Sequence, residues 1–496
     1  MSSDSVKRAR VSRADSLPSS LVCTFVNSGD GSKTPPLDLP IHSNTKQLEA
    51  LINSLLNNND KLPYAFYIRD IEIVNSLEET LSELITEGKD INVEDILSIS
   101  YQPLSVFRVR PVTRCSETMP GHTDAVLHVS YSPDGERLAS GGGGETTTPH
   151  YLLLKEDLDT TVRFWNVTSS MPQHTCSGHK NHVLCTAWAP NGQYFVSADL
   201  TGEIRIWDPK SGTQKGSVLK SHSKWVTSLS FEPLHRNPVC NRFASASKDH
   251  TIKIWNANTN QCETTISGHT DSVECIRWGG NGMLYSASRD RTIKVWVVDG
   301  HGRSQQKLIR TLTGHAHRIN SLSLSCDYVL RTGSYELGNS KVALSLEDAQ
   351  EKANQRYVAV VGTEGERLVS ASDDFTLFMW KPEESKSPLT RMTGHQGVIN
   401  HIAFSPNARF VASASFDKKV KLWCGRTGRF IATLNGHVGA VYQVAWSADS
   451  NYIVSASKDS TVKLWSVKSP TKPMHTLPGA ICSIKETNVF QHIFRA

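Results

Sequence analysis

The sequence lacks long apolar runs and paired cysteines. Apolar residues make up 38% of its 496 residues, but no uninterrupted apolar stretch reaches the about 20 residues that a membrane-spanning helix needs. The polar N-terminus predicts no secretory signal. The ten cysteines are scattered singly, without a Cys-x-x-Cys pair or a zinc-like spacing, which favours buried, reduced thiols in an intracellular protein. The net charge of +5 is small for this length and does not by itself indicate a nucleic-acid-binding protein.

Motifs for catalysis are also missing. The glycine run at 141–144 is not followed by Gly-Lys-Ser or Gly-Lys-Thr, so it does not match a phosphate-binding loop. The sequence contains neither a metal-ligand cluster nor a nucleophile elbow. It therefore predicts a protein that is not an enzyme.

What the sequence has instead is repetition. The stretch SASKDSTVKLW at 455–465 has near copies at 245–255, 286–296, 370–380 and 413–423. Each copy ends on a tryptophan, and a histidine, usually in Gly-His, lies upstream of it. Successive histidines are 57, 43, 47, 46, 80 and 42 residues apart, a period near 42 with two outliers, which indicates a repeat architecture. The histidines are His122, His179, His222, His269, His315, His395 and His437. The tryptophans are Trp165, Trp207, Trp255, Trp296, Trp380, Trp423 and Trp465.

One copy shows how each repeat is expected to fold. After the Gly-His turn, residues 440–447, 452–457 and 461–465 form three short apolar segments typical of strands, and a linker such as 430–434 supplies a fourth. A single four-stranded sheet cannot bury both of its faces, but sheets stacked around an axis bury them against each other. The pattern resembles the WD40 repeat. We therefore predict a mostly β protein whose main part, residues 105–479, is a β-propeller with seven full repeats.

An aspartate stands six residues before the tryptophan in six of the seven repeats. We expect it to hold a tight turn and to bond the repeat's histidine. A reading of these His, Asp and Ser sets as catalytic triads is disfavoured, because near-identical sets recur in every repeat. In the second repeat Thr201 stands where the aspartate is expected, with Asp199 nearby, which leaves the structure of that turn open. The six aspartates are Asp159, Asp249, Asp290, Asp374, Asp417 and Asp459.

The N-terminal part has a different pattern. Residues 1–18 are polar and basic, which predicts a disordered tail, with a nuclear-import signal as the alternative. Residues 19–104 show the element order of ubiquitin. The chain continues through Gln102-Pro103 where a conjugated modifier would end in Gly-Gly, so we predict a ubiquitin-like docking domain. Strands are predicted at 21–29, 36–41, 64–74 (one long strand or a pair) and 95–101, and helices from Thr45 and over 76–85.

Three stretches give a more specific resemblance. LPYAFYI at 62–68, ILSISYQPLSVFRVRPVTRC at 96–115 and DYVLRTGSYE at 327–336 are similar to the Notchless family. The resemblance implies an assembly factor of the large (60S) ribosomal subunit, in the nucleus and nucleolus, whose propeller is anchored on the pre-ribosome. It further implies that the ubiquitin-like domain is gripped by the MIDAS domain of midasin, an AAA+ ATPase. Members of the family are also linked to Notch signalling.

The same resemblance singles out Glu94 as a partner-binding residue. It lies in Asn-Val-Glu-Asp at 92–95, where the family places an acid that binds the Mg²⁺ held by the partner's MIDAS domain. A carboxylate oxygen is a suitable ligand for Mg²⁺. Asp95 is the alternative ligand, and an ordinary solvated acidic loop is the structural alternative. No cofactor of the protein's own is expected.

Two stretches depart from the family. Removing residues 144–158 from the first repeat restores LASGGGDTTVRFW and the usual spacing, so these residues are predicted to be an inserted surface loop. The family has eight repeats, but here an eighth begins only as HTLPG at 475–479 and gives way to a non-repeat tail at 480–496. We therefore expect an incomplete ring in which 106–112 is an orphan outer strand, with contraction to seven blades as the alternative.

Three further predictions concern one chain segment, an alternative function and possible RNA contacts. Residues 326–365 are predicted to be a long inter-repeat segment. A WD40 substrate adaptor or scaffold, for a ubiquitin ligase or in Notch-type signalling, is the alternative function. Basic loop residues are candidate contacts to RNA phosphates, although such residues are more often simply solvated. They are Lys180, Lys220, Lys224, Arg236, His317 and Arg318.

Overall fold

The computed structural model describes residues 18–56, 58, 62–69, 71–86, 96–104, 111, 113, 118–143, 159–298, 306–336 and 344–478. They form two compact units: the first contains the described residues up to 104 together with Gly362–Glu364, and the second contains the other described residues from 111 onward. Among these residues no helix combines the length and the apolar character that a membrane crossing requires. The eight cysteines described are unpaired thiols, and six of them are buried.

The N-terminal unit is a five-stranded sheet with two helices. Its strands lie in the order β2-β1-β5-β3-β4, and β1 is parallel to β5 at the centre. The elements are β1 (Ser20–Asn27), β2 (Leu37–Pro40), α1 (Thr45–Leu55), β3 (Tyr64–Ile68), β4 (Ile71–Glu72), α2 (Leu77–Thr86) and β5 (Leu97–Pro103). The predicted strand at 64–74 is therefore a pair, and the element order predicted from the sequence is confirmed.

Both helices of this unit begin at caps that the sequence contains. The Asn44 side chain accepts a hydrogen bond from Gln47 N at 3.1 Å, and the Gln47 side chain accepts one from Asn44 N at 3.0 Å, which is a capping box. In α2 the Glu79 N–H donates to Ser76 Oγ at 3.3 Å. Leu48 and Leu81 lie on the buried faces of the two helices, which pack on the same side of the sheet core.

In the second unit the described residues form seven antiparallel sheets of four strands each. Blades 1 to 4 are β6 (Val126–Tyr131), β7 (Arg137–Gly142), β8 (Val162–Asn166), β9 (Pro172–Cys176); β10 (Val183–Trp188), β11 (Phe195–Asp199), β12 (Glu203–Trp207), β13 (Leu219–Lys220); β14 (Val226–Phe231), β15 (Arg242–Ser247), β16 (Ile252–Asn256), β17 (Gln261–Ile266); and β18 (Val273–Trp278), β19 (Met283–Ser288), β20 (Thr292–Val298), β21 (Gln306–Thr313).

The remaining three blades complete the described series. Among the described residues of the propeller, α-helices occur in blade 5, as α3 (Asp327–Thr332) and α4 (Leu346–Val361) between its first two strands. Blades 5 to 7 are β22 (Ile319–Leu324), β23 (Leu368–Ser372), β24 (Leu377–Trp380), β25 (Thr390–Met392); β26 (Ile399–Phe404), β27 (Phe410–Ser415), β28 (Val420–Cys424), β29 (Phe430–Leu434); and β30 (Val441–Trp446), β31 (Tyr452–Ser457), β32 (Thr461–Ser466), β33 (His475–Pro478).

Neighbouring blades bury their faces against each other. The tryptophan of each of blades 2 to 7 lies in an apolar cluster shared with the preceding blade, as Trp207 does with Phe164. Trp165 of blade 1 instead lies in a cluster whose described members surround only its own blade. The outward face of blade 7, with Val454 and Leu464, likewise forms a cluster of its own. Among the described residues, the packing of innermost strands runs in order from β6 to β30, and no packing of similar extent joins β30 to β6.

Two sequence expectations about the propeller are wrong. Residues 326–365 are not an inter-repeat segment, because β22 before them and β23 after them pair in one sheet. Residues 475–478 do not begin an eighth repeat, because β33 pairs with β32 as the outer strand of blade 7. Both predictions rest on the spacing of the repeat histidines. This spacing gives the length of a repeat but does not show which strands pair in one sheet. Of the predicted orphan strand 106–112 the structure describes only Pro111, and the predicted loop 144–158 and tail 480–496 lie outside the described residues.

Candidate partner-binding faces and the channel

In every blade one hydrogen-bond network joins the repeat's histidine, tryptophan and aspartate to a serine. Histidine Nε2 lies 2.6–2.8 Å from the serine Oγ, and the tryptophan Nε1 donates to the same Oγ at 2.7–2.9 Å. Histidine Nδ1 lies 2.5–3.0 Å from a carboxylate oxygen of the aspartate. The serines are Ser140, Ser197, Ser245, Ser286, Ser370, Ser413 and Ser455. The network fixes the loop before the first strand and the turn after the second, and we call this end of the propeller the His–Asp face.

The aspartate of this network is fully engaged in holding the two loops. In blade 4, Asp290 Oδ2 lies 2.7 Å from His269 Nδ1, and Oδ1 accepts hydrogen bonds from Thr292 N at 2.9 Å and Thr292 Oγ1 at 2.6 Å. Burial alone would raise the pKa of Asp290, but the hydrogen bonds from His269 and Thr292 outweigh it and hold the pKa well below its usual value. The carboxylate is therefore ionised at neutral pH and serves the fold.

Blade 2 resolves the turn that the sequence left open. Asp199 takes the place of the missing aspartate, with its Oδ2 3.0 Å from His179 Nδ1. Thr201 does not replace an aspartate; it donates from N and Oγ1 to Asp199 Oδ1 at 2.9 and 2.6 Å, as Thr292 does to Asp290. The Asp-x-Thr pattern is thus kept, and the longer turn passes through Gly202, whose φ is +87°.

The candidate RNA-contacting residues do not form one patch. Lys180 and Lys220 both lie beside Glu203 on the His–Asp face, at 3.9 and 2.8 Å. Arg318 and His317 both lie beside Asp373 on the same face. Lys224 is exposed on this face as well. These acids offset much of the basic charge, which weakens the case for phosphate contacts there.

Arg236, the sixth of these residues, lies at the other end of the propeller. It follows β14, in the loop before β15, and its Nη1 donates to the carbonyl of Asn281 at 3.0 Å. We call this end, which carries the loops between first and second strands, the opposite face.

The two helices of blade 5 cover part of the opposite face, and the sequence reading missed them. Ala353 on α4 is buried in the cluster shared by blades 2 and 3. Tyr357 stacks on His235 of blade 3 with ring centroids 4.7 Å apart, and its hydroxyl donates to Glu366 at 2.9 Å. Apolar residues at 346, 349, 353 and 357 follow a helical spacing and are the signal that could have revealed α4.

Glu366 joins this insertion to blade 4. It is buried and accepts hydrogen bonds from Gly280 N at 2.6 Å and from Tyr285 Oη at 3.2 Å as well as from Tyr357. Burial raises the pKa of Glu366. Through these contacts the insertion packs on blades 2, 3 and 4 as well as on its own blade, and the helices line one end of a large cavity.

That cavity is the central channel of the propeller. It has a volume of about 2300 Å³ and is lined by the innermost strands of all seven blades and, at one end, by α3 and α4. Exposed Trp225, over which Lys248 Nζ lies 4.3 Å from the ring centroid, and exposed Phe416 stand at its other end, on the His–Asp face. Within the described residues no group of three or more His, Cys, Asp and Glu side chains could hold a metal ion.

The predicted partner ligand cannot be placed in this geometry. Glu94 and its alternative Asp95 lie outside the described residues, between α2 and β5. The next described residue is Ile96, which directly precedes β5. This strand pairs with both β1 and β3 at the centre of the sheet.

In the described residues, seven sheets built on a His–Ser–Trp–Asp network and preceded by a ubiquitin-like unit define a WD40 propeller protein with an additional N-terminal domain. Comparison with known families agrees. The model of the WD domain, G-beta repeat, matches residues 113–166, 170–208, 213–256, 260–297, 386–424 and 428–466, and the model of the NLE (NUC135) domain matches residues 21–81.

Comparison with individual proteins shows to which family of WD40 proteins the chain belongs. The chain is 45% identical to Protein Notchless of Drosophila melanogaster over 80% of its own length and 76% of that protein. It is 43% identical to ribosome assembly protein 4 of Saccharomyces cerevisiae over the same shares, and 46% identical to the Notchless protein homolog of Arabidopsis thaliana over 79% and 77%. A crystal structure of the computationally designed Ika8 protein matches with a TM-score of 0.51 at 22% identity, over 72% of this chain and 88% of that one, which concerns the fold alone. The chain belongs to the Notchless family.

Proposed function

We propose that this protein is a non-enzymatic assembly factor for the large ribosomal subunit, acting in the nucleus and nucleolus. The observation that carries the proposal is the 43% identity with yeast ribosome assembly protein 4 over 80% of this chain and 76% of that protein. The architecture supports it, since a series of seven packed blades with loops fixed by seven hydrogen-bond networks suits a platform for partners. The propeller is proposed to anchor on the pre-ribosome.

Sedimentation of the tagged full chain through a sucrose gradient tests this role. An assembly factor is expected to sediment with pre-60S particles, and to leave that fraction when the particles are dissociated. A substrate adaptor would instead sediment with a ubiquitin-ligase subunit and leave the pre-60S fractions empty. Imaging of the same tagged chain is expected to show nuclear and nucleolar signal.

The N-terminal unit is proposed to dock the MIDAS domain of midasin through Glu94. The partner's Mg²⁺ supplies an open coordination position, and a carboxylate oxygen both fills it and offsets its charge. The protein itself holds no metal in this proposal. In the sequence Glu94 comes two residues before Ile96, which directly precedes β5, the central strand of the sheet.

Capture of the midasin MIDAS domain by the full chain in Mg²⁺ tests this docking. Glu94→Ala is expected to abolish capture, and EDTA is expected to abolish capture by the unchanged protein. Glu78→Ala is the matched control, because Glu78 is an exposed acid of α2 that pairs with His42. Loss with Asp95→Ala and not with Glu94→Ala would move the role by one residue. Capture that survives both changes and EDTA would contradict the metal bridge.

A further inference from the structure

The outward face of blade 7 is buried, although no other described blade shares its apolar cluster. Val454 and Leu464 on this face are each 0% exposed. Among the described residues, the cluster that they form contains only members of blade 7. Apolar side chains on an uncovered sheet face would be in contact with water. The face therefore needs a cover that the described blades do not supply.

The interface between blades 6 and 7 shows what kind of cover fits. Ala412 and Leu422 pair across β27 and β28 of blade 6, as Val454 and Leu464 pair across β31 and β32 of blade 7. In blade 6 these two residues pack in one cluster with Trp465 of the next blade. The equivalent face of blade 7 is therefore suited to an apolar cover that includes a bulky aromatic side chain.

Blade 1 does not provide this cover within the described part of the chain. Trp165 is its counterpart of Trp465, but it lies in a separate cluster with Val129 and Leu138. The first strands of neighbouring blades pack closely from β6 to β30, and no packing of similar extent joins β30 to β6 among the described residues. The two outermost blade faces are thus two halves of an interface that do not meet directly.

The C-terminal segment, residues 479–496, begins at the face of blade 7. β33 ends at Pro478, and Leu477 beside it packs against the cluster. Eighteen residues follow β33. Fully extended, they span at most roughly 60 Å, whereas a face of four strands is only about 15 Å across. The segment is therefore long enough to cross the face and to return.

The C-terminal segment also has the composition that such a cover needs. Chains that remain in solvent contain few large apolar residues, but six of these eighteen residues are large and apolar, and only three are charged. Two of the six are phenylalanines, which offer the aromatic bulk that a tryptophan supplies elsewhere. The six residues are Ile481, Ile484, Val489, Phe490, Ile493 and Phe494.

We propose that the C-terminal segment folds back over the outward face of blade 7, where its phenylalanines take the place that Trp465 has on blade 6. The occupant of the face is thus a part of the same chain and not a second molecule. A short segment makes fewer contacts than a four-stranded blade, so blade 7 gains a cover but not a full interface. This contact is independent of the proposed role in ribosome assembly.

Hydroxyl-radical footprinting of the full chain, followed by mass spectrometry, measures the access of water to this face. Tyr452, which packs partly buried against the cluster, is the reporter. Phe490→Asp combined with Phe494→Asp is expected to raise the labelling rate of Tyr452 several-fold, because unpaired carboxylates are costly to bury on an apolar face. Gln491→Asp combined with His492→Asp is the matched control. It adds two aspartates to the same stretch and should leave the rate unchanged.

A photo-crosslink keeps the proposal testable if the double phenylalanine variant lowers stability. Benzoylphenylalanine in place of Phe490 is expected to crosslink to β31 and β32 of the same chain. A crosslink to a second chain or only to other blades, no crosslink, or an unchanged labelling rate of Tyr452 would overturn the proposal. A rise in that rate with Phe107→Asp and not with the double variant would assign the cover to the stretch before blade 1 and would also overturn it.

Discussion

At the residue scale, the repeat's aspartate explains why the same residues recur in every blade. Its carboxylate joins two loops that are about 20 residues or more apart in the chain, as in Asp290 with His269 and Thr292. The residue after this aspartate has a positive φ in several blades, which the hydrogen-bonded turn tolerates. These residues are His250, Arg291, Phe375, Lys418 and Ser460. The network therefore presents their side chains on the His–Asp face in fixed positions.

Removal of one such carboxylate is expected to lower stability. Asp290→Ala leaves His269 Nδ1 and Thr292 without their partner, and an unsatisfied buried polar group costs about 1–3 kcal/mol. We therefore expect the free energy of unfolding to fall by an amount in that range, measured by urea denaturation. Asp271→Ala is the control, since Asp271 is about half exposed on the same face. Equal effects of the two changes would contradict the structural role.

Acidification is expected to destabilise the propeller in two stages. Burial lowers the pKa of His179 and His437, so their contribution is present above the unfolded value of about 6.5 and is lost as pH falls below it. The lowered pKa of the network aspartates gives a contribution that is present above about 3.9 and is lost at still lower pH. Melting temperatures between pH 7.5 and 3 are therefore expected to fall modestly at first and steeply below about pH 4. A melting temperature that rises from pH 7 to pH 4 would contradict both parts.

At the scale of elements, the sequence predicts what local patterns determine and misses what tertiary contacts determine. The strands around each Gly-His and Trp follow from short alternating segments, and so does the order of the N-terminal elements. The helical spacing at 346, 349, 353 and 357 indicates α4, but its packing partners could not be predicted in this way, because Ala353 is buried and Tyr357 is partly buried by blades distant in sequence. The sequence predicts that residues 475–478 begin an eighth repeat, whereas they form the outer strand of blade 7. The apolar pattern of an outer strand is too weak to show which blade it belongs to.

Deletion of residues 144–158 is expected to leave the melting temperature unchanged or to raise it. The strands on either side already pair up to the gap, since Gly141 lies opposite Val162 and Gly142 N donates to Thr161 O at 3.0 Å. Joining Gly143 to Asp159 would give a turn of the same length as that of blade 4. Each twofold change in the length of a loop changes the free energy of closing it by only roughly 0.6 kcal/mol.

Thermal melting of the deletion variant is the measurement. A variant with a Gly/Ser sequence of equal length at 144–158 serves as the control for loop length. A fall of more than about 4 °C in the deletion variant, near the shift that a loss of 1 kcal/mol gives in domains of moderate size, would contradict an inserted loop.

At the scale of the whole molecule, the blades are coupled mainly to their neighbours. Six of the repeated tryptophans bridge to the preceding blade, and Trp165 lies in a cluster of its own blade. In repeat proteins stability is approximately a sum of terms for each repeat and for each interface between neighbours. Blade 4 has a described interface on each side, whereas blades 1 and 7 each have one. The incomplete ring expected from the sequence remains a prediction, and it has a measurable consequence.

Exchange of backbone amide hydrogens is expected to be faster at the two ends of the blade series than at its middle. Local unfolding exposes amides with a free energy that rises with the packing around them. The amides of β8 in blade 1 and of β32 in blade 7 are therefore expected to exchange before those of β20 in blade 4, although all three are third strands with the same network. Mass spectrometry of the full chain in deuterated buffer measures this.

Trp165→Phe should lower the free energy of unfolding less than Trp296→Phe does, because only Trp296 lies in a cluster shared with a preceding blade. Equal protection of the three strands, together with equal costs of the two substitutions, would show that blades 7 and 1 are coupled as tightly as the others and that the ring is closed.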